Sequence, residues 1–144
     1  MKEKALHHMN TALGIASPRN WHDHLFWIHF SMAELFRDER EYEDAHAQIE
    51  QARSHSIDNV YQLGRAMKLQ AEVWYHQTRL EDAKSGALLA LKYYEKAGAA
   101  HNAEICRNFL QSVERAMEQQ PINPKGELMY TMLPPTFVNL HPIA

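Results

Sequence analysis

"YEDAHAQIEQA", residues 42–52, and "LEDAKSGALLA", residues 80–90, match each other when the chain is shifted by 38 positions. The match extends upstream, because Ala33 corresponds to Ala71 and Phe36 to Trp74. Small residues recur where two helices cross closely, and large apolar residues recur where a neighbouring helix must be filled. A repeat of this length predicts stacked pairs of helices.

The prolines divide the chain into a body and a tail. Five of the six prolines lie after residue 120, and residues 19–120 contain none. Because proline costs about 3 kcal/mol inside a helix, a proline-free run rich in Ala, Leu, Glu, Gln, Arg and Lys favours helix throughout. We therefore predict a helical repeat domain over residues 1–119 and a proline-rich extended tail over residues 120–144.

Caps and turns subdivide the body. Asn20 is a good N-cap for a second helix, and Ser56 and Asp58 are candidate caps for a fourth. Gly98 can close the fifth helix as a left-handed residue. We predict six helices, near residues 2–16, 20–37, 42–55, 58–77, 80–97 and 100–119.

The recurring positions resemble the tetratricopeptide repeat. Its first helix carries a small residue and an aromatic one three positions later, as in Ala33 and Phe36, Ala71 and Trp74, and Cys106 and Phe109. Its second helix carries alanine, a large residue and alanine, as in Ala45, Ile49 and Ala52, more weakly in Ala83, Ala87 and Ala90, and upstream in Ala5, Met9 and Ala12. The spacing of 38 to 40 exceeds the usual repeat of about 34 residues. In this it is similar to the extended repeats of kinesin light chains and of fungal NLR-like receptor proteins.

The resemblance implies an all-α, right-handed stack of about six antiparallel helices whose first helices line a concave groove. It also implies a non-catalytic module that binds a protein or peptide. Counting from the small residues, the groove positions are Trp27, Phe30, Glu34, Arg37, Arg65, Lys68, Glu72, Tyr75, His76, Ala103, Arg107, Leu110 and Gln111.

Within this groove, a basic strip is expected beside the aromatic side chains. It would consist of Arg65, Lys68 and Arg107, and it suits a peptide with a carboxylate and apolar anchors. The alternative is that the aromatic rings are core and the charges are solvated walls. Chaperone-binding members of the family hold a terminal carboxylate with lysine, asparagine and arginine. No asparagine stands at the groove positions, so we do not expect a heat-shock chaperone as the ligand.

Histidines cluster at the predicted start of the second helix. His22 and His29 share a helix face, whereas His24 lies nearly opposite, and no His-x-x-x-His pair occurs in the chain. We therefore expect no metal site, and we expect Asp23 to favour the helix start through the helix dipole. The single cysteine, Cys106, is expected to be a buried packing residue.

The rest of the sequence indicates several classes of protein to which this chain is not expected to belong. Phosphate-binding loops and nucleophile motifs are absent, so we expect no enzyme and no cofactor. A net charge of −3 and the lack of any run of 18 apolar residues indicate neither a nucleic-acid nor a membrane partner. One cysteine and no signal peptide suggest a cytoplasmic setting.

Two expectations concern association. The first helix has an apolar side (Leu6, Met9 and Leu13) that lacks a partner helix, which fits a self-assembling unit, a homodimer or a fragment of a larger protein. The tail is unusually apolar for a linker, so it is a candidate ligand for the groove of its own chain or of a neighbour, with Tyr130 and Phe137 as anchors.

Overall fold

The computed structural model describes residues 2–120, and every regular element in that range is a helix. A 3₁₀ turn over Ser17–Arg19 separates the first two helices. The helices are α1 (Lys2–Ala16), α2 (His22–Asp38), α3 (Tyr42–Ser54), α4 (Val60–His76), α5 (Leu80–Ala97) and α6 (Ala100–Gln119). The prediction of an all-α fold with six helices is confirmed for this part of the chain. No helix in it combines the length and apolar composition needed to cross a bilayer.

The 38-residue repeat is present in the backbone. Helices α2 and α4 each have 17 residues, and they begin 38 positions apart at His22 and Val60. Helices α3 and α5 also begin 38 positions apart, at Tyr42 and Leu80. The turn before each of these helices contains a left-handed residue at the same place, Arg40 with φ 60 and Thr78 with φ 57. The first helices and the turns of the two pairs therefore repeat, whereas the second helices differ, since α3 has 13 residues and α5 has 18.

Within the second pair, the two helices pack closely in opposite directions. A Cβ atom at Gly64, near the start of α4, would meet the ring of Tyr94 near the end of α5. A Cβ atom at Gly86, early in α5, would meet the methyl group of Ala71 further along α4. Small residues are needed at such crossings because the backbones approach closely.

The first helices of the two pairs lie side by side and run in the same direction. Near their starts, Gln62 Nε2 donates a hydrogen bond to Asp23 Oδ1 at 3.1 Å. Near their ends, Arg37 Nη1 donates to Glu72 Oε2 at 2.5 Å. The side chains that α2 and α4 expose on the same side of this helix pair therefore form one continuous surface.

The small residues of the repeat lie in the core. Ala33, Ala45, Ala71 and Ala83 are each 0% exposed, which confirms their predicted burial. Around them, the core forms two clusters, one on either side of α4. The largest fully buried side chains are Tyr94, Phe26, Ile49, Leu80, Val73 and Val113.

The prediction that Asn20 caps α2 is wrong. The 3₁₀ turn ends at Asn20, which has φ 54, and its backbone N–H donates to the Ser17 carbonyl. Asparagine tolerates this left-handed conformation better than most residues. The N-cap position of α2 falls on Trp21 instead, with no side-chain cap.

The cap of α4 is also displaced from its predicted place. Asn59 provides it, because its side-chain oxygen accepts a hydrogen bond from the Gln62 N–H at 3.0 Å. Ser56 instead donates its hydroxyl to carbonyls at the end of α3. Gly98 closes α5 with φ 71, as predicted. The predicted tail, residues 120–144, falls outside the described residues from position 121 onward.

Candidate binding cleft

Helices α2, α4 and α6 surround a cleft of about 600 Å³. The parallel faces of α2 and α4 form one side of it, and the first turns of α6 form the other. Six of the residues predicted to bind line this cleft: Phe30, Glu34, Arg37, Arg65, Lys68 and Glu72.

An ion-pair network joins α2 to α4 inside the cleft. Glu72, whose side chain is 7% exposed, accepts from Arg37 Nη1 at 2.5 Å and pairs with Lys68 Nζ at 2.6 Å. Arg37 also pairs with the exposed Asp38 at 3.0 Å. One buried carboxylate thus faces two partly buried cations, and breaking such a network leaves a charge without compensation.

Arg65 is held by aromatic rings instead of by a carboxylate. Its guanidinium carbon lies 5.0 Å from the ring centre of Phe30 and 5.2 Å from that of Trp27. Its Nη1 donates to the Tyr61 hydroxyl at 3.1 Å. Among residues 2–120, no carboxylate oxygen lies within 4.0 Å of its nitrogens. The rings restrict the side chain, and the bond to Tyr61 uses one of its five N–H donors.

Glu34 is the second carboxylate in the cleft. Burial raises the pKa of its carboxyl group above the ordinary value, although the positive charges of Arg37 and Arg65 oppose this rise. The Glu34 carboxylate therefore takes up a proton more readily than the carboxylate of an exposed glutamate does. The cleft combines three cations with two carboxylates, so positive charge is in excess.

Two aromatic residues of the predicted site lie elsewhere. Tyr75 is only 2% exposed, packs against the ring of Phe109 at 5.7 Å, and has its pKa raised to about 12 by burial. His76 stacks on Tyr42 at 6.2 Å. Trp27 remains beside the cleft, 37% exposed, under Arg65. Of the aromatic residues predicted to bind, only Phe30 lines the cleft itself.

The predicted residues of α6 do not line the cleft. Arg107 pairs with Glu104 at 3.0 Å and Glu95 at 3.4 Å, and Gln111 is exposed elsewhere. Ala103 is buried in the core, and Leu110 packs against it. The expected basic strip is therefore reduced to Arg65 and Lys68.

Other residues of α6 line the cleft in their place, namely His101, Asn102 and Ile105. The sequence also did not indicate Leu69 of α4 and Tyr94 of α5, which complete the lining. The physical reason is the rotation of α6 about its axis. Its apolar side, including Cys106 and Val113, is buried with residues of α4 and α5. The groove positions of α6 were predicted by counting from Cys106 with the spacing that applies to α2 and α4. That spacing selects the wrong face of α6.

Other reactive groups do not form a site. Within residues 2–120, no three His, Cys, Asp or Glu side chains are positioned to share a metal ion. His24 packs against Trp21, away from His22. Cys106 is buried and donates its thiol hydrogen to the Ala87 carbonyl at 3.3 Å, and burial raises its pKa to about 11. Its role in the structure is packing.

Comparisons with known proteins gave no match: no family model, no curated protein and no solved structure matches this chain. The cleft is therefore the feature of this chain from which a function can be inferred. A cleft with a buried ion-pair network and an unpaired, ring-supported arginine is suited to recognition.

Proposed function

We propose that this chain is a non-catalytic module that binds a protein or peptide segment in the cleft between α2, α4 and α6. The observation that carries the proposal is Arg65, which lies over three rings at the cleft with no carboxylate partner among residues 2–120. We also propose that the fold is a right-handed, tetratricopeptide-like stack. The support for it is the 38-residue period and the four buried alanines at the repeat positions.

The ligand that fits best carries a carboxylate next to an apolar side chain. Arginine binds a carboxylate through two parallel N–H donors, and such charge-assisted bonds are stronger than neutral ones. Contacts with Trp27 and Phe30 already restrict the Arg65 side chain, which lowers the entropy lost on binding. Leu69 and Ile105 supply apolar surface in the same cleft. A volume of about 600 Å³ accommodates only a few ligand side chains.

Selection from a library of random peptides of about twelve residues tests this proposal. Peptides selected on the wild-type chain would be synthesised and titrated by calorimetry. We expect Arg65→Gln to weaken binding by about tenfold or more, as loss of an interfacial arginine often does. The matched control is Arg79→Gln, because Arg79 also lies over a ring, that of Trp74 at 5.5 Å, but outside the cleft. A library that yields no binder, or binders indifferent to Arg65→Gln, would contradict the proposal.

The segment 121–144 is a candidate ligand within the same chain. It lies outside the described residues, and it contains apolar side chains such as Tyr130 and Phe137. A synthetic peptide of that sequence should displace the selected library peptides from the wild-type cleft. Failure to displace them at saturating concentration would remove the tail as a ligand and leave the proposal of an external partner.

A second candidate function, self-assembly, is favoured by a different surface. A groove of about 500 Å³ between α1 and α2 has a mainly apolar surface, to which Met9, Ala12, Trp27 and Ile28 contribute beside four polar residues. On α1, Ile15 is 49% exposed. A second copy of the chain would cover this surface. Light scattering should then show a dimer at concentrations on the order of 100 µM that dissociates in Ile15→Glu, and a monomer at that concentration would exclude this candidate.

A further inference from the structure

Three histidines lie together where α2 packs against the end of α3. Two of them, His22 and His29, are on α2, and His55 directly follows α3. His22 Nδ1 and His55 Nδ1 are 2.9 Å apart, at hydrogen-bond distance. On the other side, the ring of His29 is stacked on that of His55, with centroids 5.8 Å apart and planes 5° apart. The sequence places His22 and His29 on one helix face, but His55 follows 26 positions after His29, beyond a turn and a whole helix.

The hydrogen-bond pattern limits how many protons this group can hold. A bond between two Nδ1 atoms requires one donor and one acceptor, so one of these two nitrogens carries no proton. A single added proton is compatible with the bond, whereas a proton on both rings removes the acceptor. His29 behaves differently, because its Nδ1 faces the amide oxygen of Gln48 at 2.7 Å and can donate to it in either charge state. A charged His29 keeps that bond but repels a charged His55 at stacking distance.

No carboxylate is paired with the three rings to offset added charge. Asp23 of α2 and Asp58 of the α3–α4 connection line the same depression as His22 and His55. However, Asp23 accepts a hydrogen bond from Gln62, and no ion pair joins a carboxylate to any of the three histidines within residues 2–120. On α3, Glu50 is occupied with Arg53. Burial, followed by the charges of His29 and His22, lowers the pKa of His55.

We propose that His22, His29 and His55 form an acid-sensitive contact that holds the start of α2 against the end of α3 and opens when more than one of them is protonated. A histidine whose pKa is lower in the folded chain than in the unfolded chain stabilises the fold fully above the ordinary value of about 6.5, and this stabilisation is lost as the pH falls below it. Acid therefore weakens the contact.

The contact also bears on the cleft. Trp27 and Phe30 lie on α2 between and just after the two histidines of that helix, and both rings lie beneath Arg65. Opening the start of α2 would move the rings that position this arginine. This consequence rests on the proposed function, whereas the contact itself does not.

Amide hydrogen exchange on the full chain tests the contact, at about pH 7.5 and about pH 5.5, with rates corrected for the intrinsic effect of pH. We expect amides of residues 22–30 and 50–55 to exchange severalfold faster at the lower pH. Amides in the interior of α5 should change much less, since no part of the contact touches α5. Equal acid responses in both regions, or none in α2 and α3, would overturn the proposal.

Two variants separate the histidine contact from general acid sensitivity. His22→Gln alters an exposed side chain and should keep the fold while abolishing most of the acid response. His55→Gln should do the same, with far-ultraviolet circular dichroism at about pH 7.5 as the check of folding. The matched control is His24→Gln, because His24 is exposed on the same helix but packs against Trp21. A wild-type response in folded His22→Gln, or its loss in His24→Gln, would refute the assignment.

Discussion

Replacing Gly64 with alanine should destabilise the protein, although alanine is the better helix former. An added Cβ atom would lie 2.9 Å from Tyr94 Cδ1 and 3.0 Å from Tyr94 Cε1. Real Cβ atoms essentially never approach other atoms within 3.0 Å, so the ring or one helix must shift. Tyr94 is only 2% exposed and packs in the core, so its ring can move only toward the cleft that it also lines.

The expected magnitude is the difference of two opposing effects. Alanine in place of glycine inside a helix stabilises by about 1 kcal/mol. Overpacking a rigid core destabilises by about 1–3 kcal/mol. The net loss of unfolding free energy at Gly64 should therefore be about 1 kcal/mol and not exceed about 2 kcal/mol. At Gly14 on α1, an added Cβ atom meets nothing within 4 Å, so the same substitution should stabilise by about 0.5–1 kcal/mol.

Urea unfolding followed by far-ultraviolet circular dichroism measures both variants, with an unchanged m-value required for a direct comparison. In a chain that already carries Tyr94→Leu, Gly64→Ala should lower the unfolding free energy by less than it does in the wild type, because the two residues are in contact. If Gly64→Ala stabilises the chain as much as Gly14→Ala does, the close crossing of α4 and α5 is wrong.

Three further predictions follow from the same packing. Ala71→Leu should lower the unfolding free energy by about 1–3 kcal/mol in urea titrations, and an unchanged midpoint would mean that the crossing has spare volume. Glu72→Gln should cost on the order of 3 kcal/mol, because Arg37 and Lys68 would lose their shared buried carboxylate, and a loss below about 0.5 kcal/mol would show that solvent already screens the network. Cys106 should resist iodoacetamide at about pH 8 in the folded chain and react only in denaturant, because its thiol is buried and its pKa is raised to about 11; rapid native alkylation would disprove that burial.

The helices were predictable because their signals are local. The absence of proline and the helix-forming composition act within a few turns of chain, and the recurrence of Ala33 at Ala71 then indicates how the helices pair. Helix bounds consequently agree to within about two residues. The caps were less predictable, since Asn20 and Asn59 depend on backbone conformations that neighbouring helices impose.

The cleft was predictable only where the helices have equivalent neighbours. Helices α2 and α4 are each followed by a second helix that packs on the same side, so Phe30 and Lys68 could be placed by counting. The orientation of α6 is set instead by the apolar side that it buries against α4 and α5. The contact of His22 with His55 was hidden for a related reason, since it depends on how α2 and α3 lie against each other and not on spacing along one helix.

The repeated turn geometry defines a segment of 38 residues that could be duplicated within the chain. Arg40 and Thr78 have the same left-handed backbone conformation at equivalent points of two turns. A second copy of residues 40–77 inserted before Thr78 would therefore begin and end in conformations that the chain already adopts. Each inserted copy would add one α3–α4 unit and lengthen the row of parallel first helices by a helix spacing of about 8–10 Å. Copy number, and not a change of side chains, would then set the length of the surface that the parallel helices form.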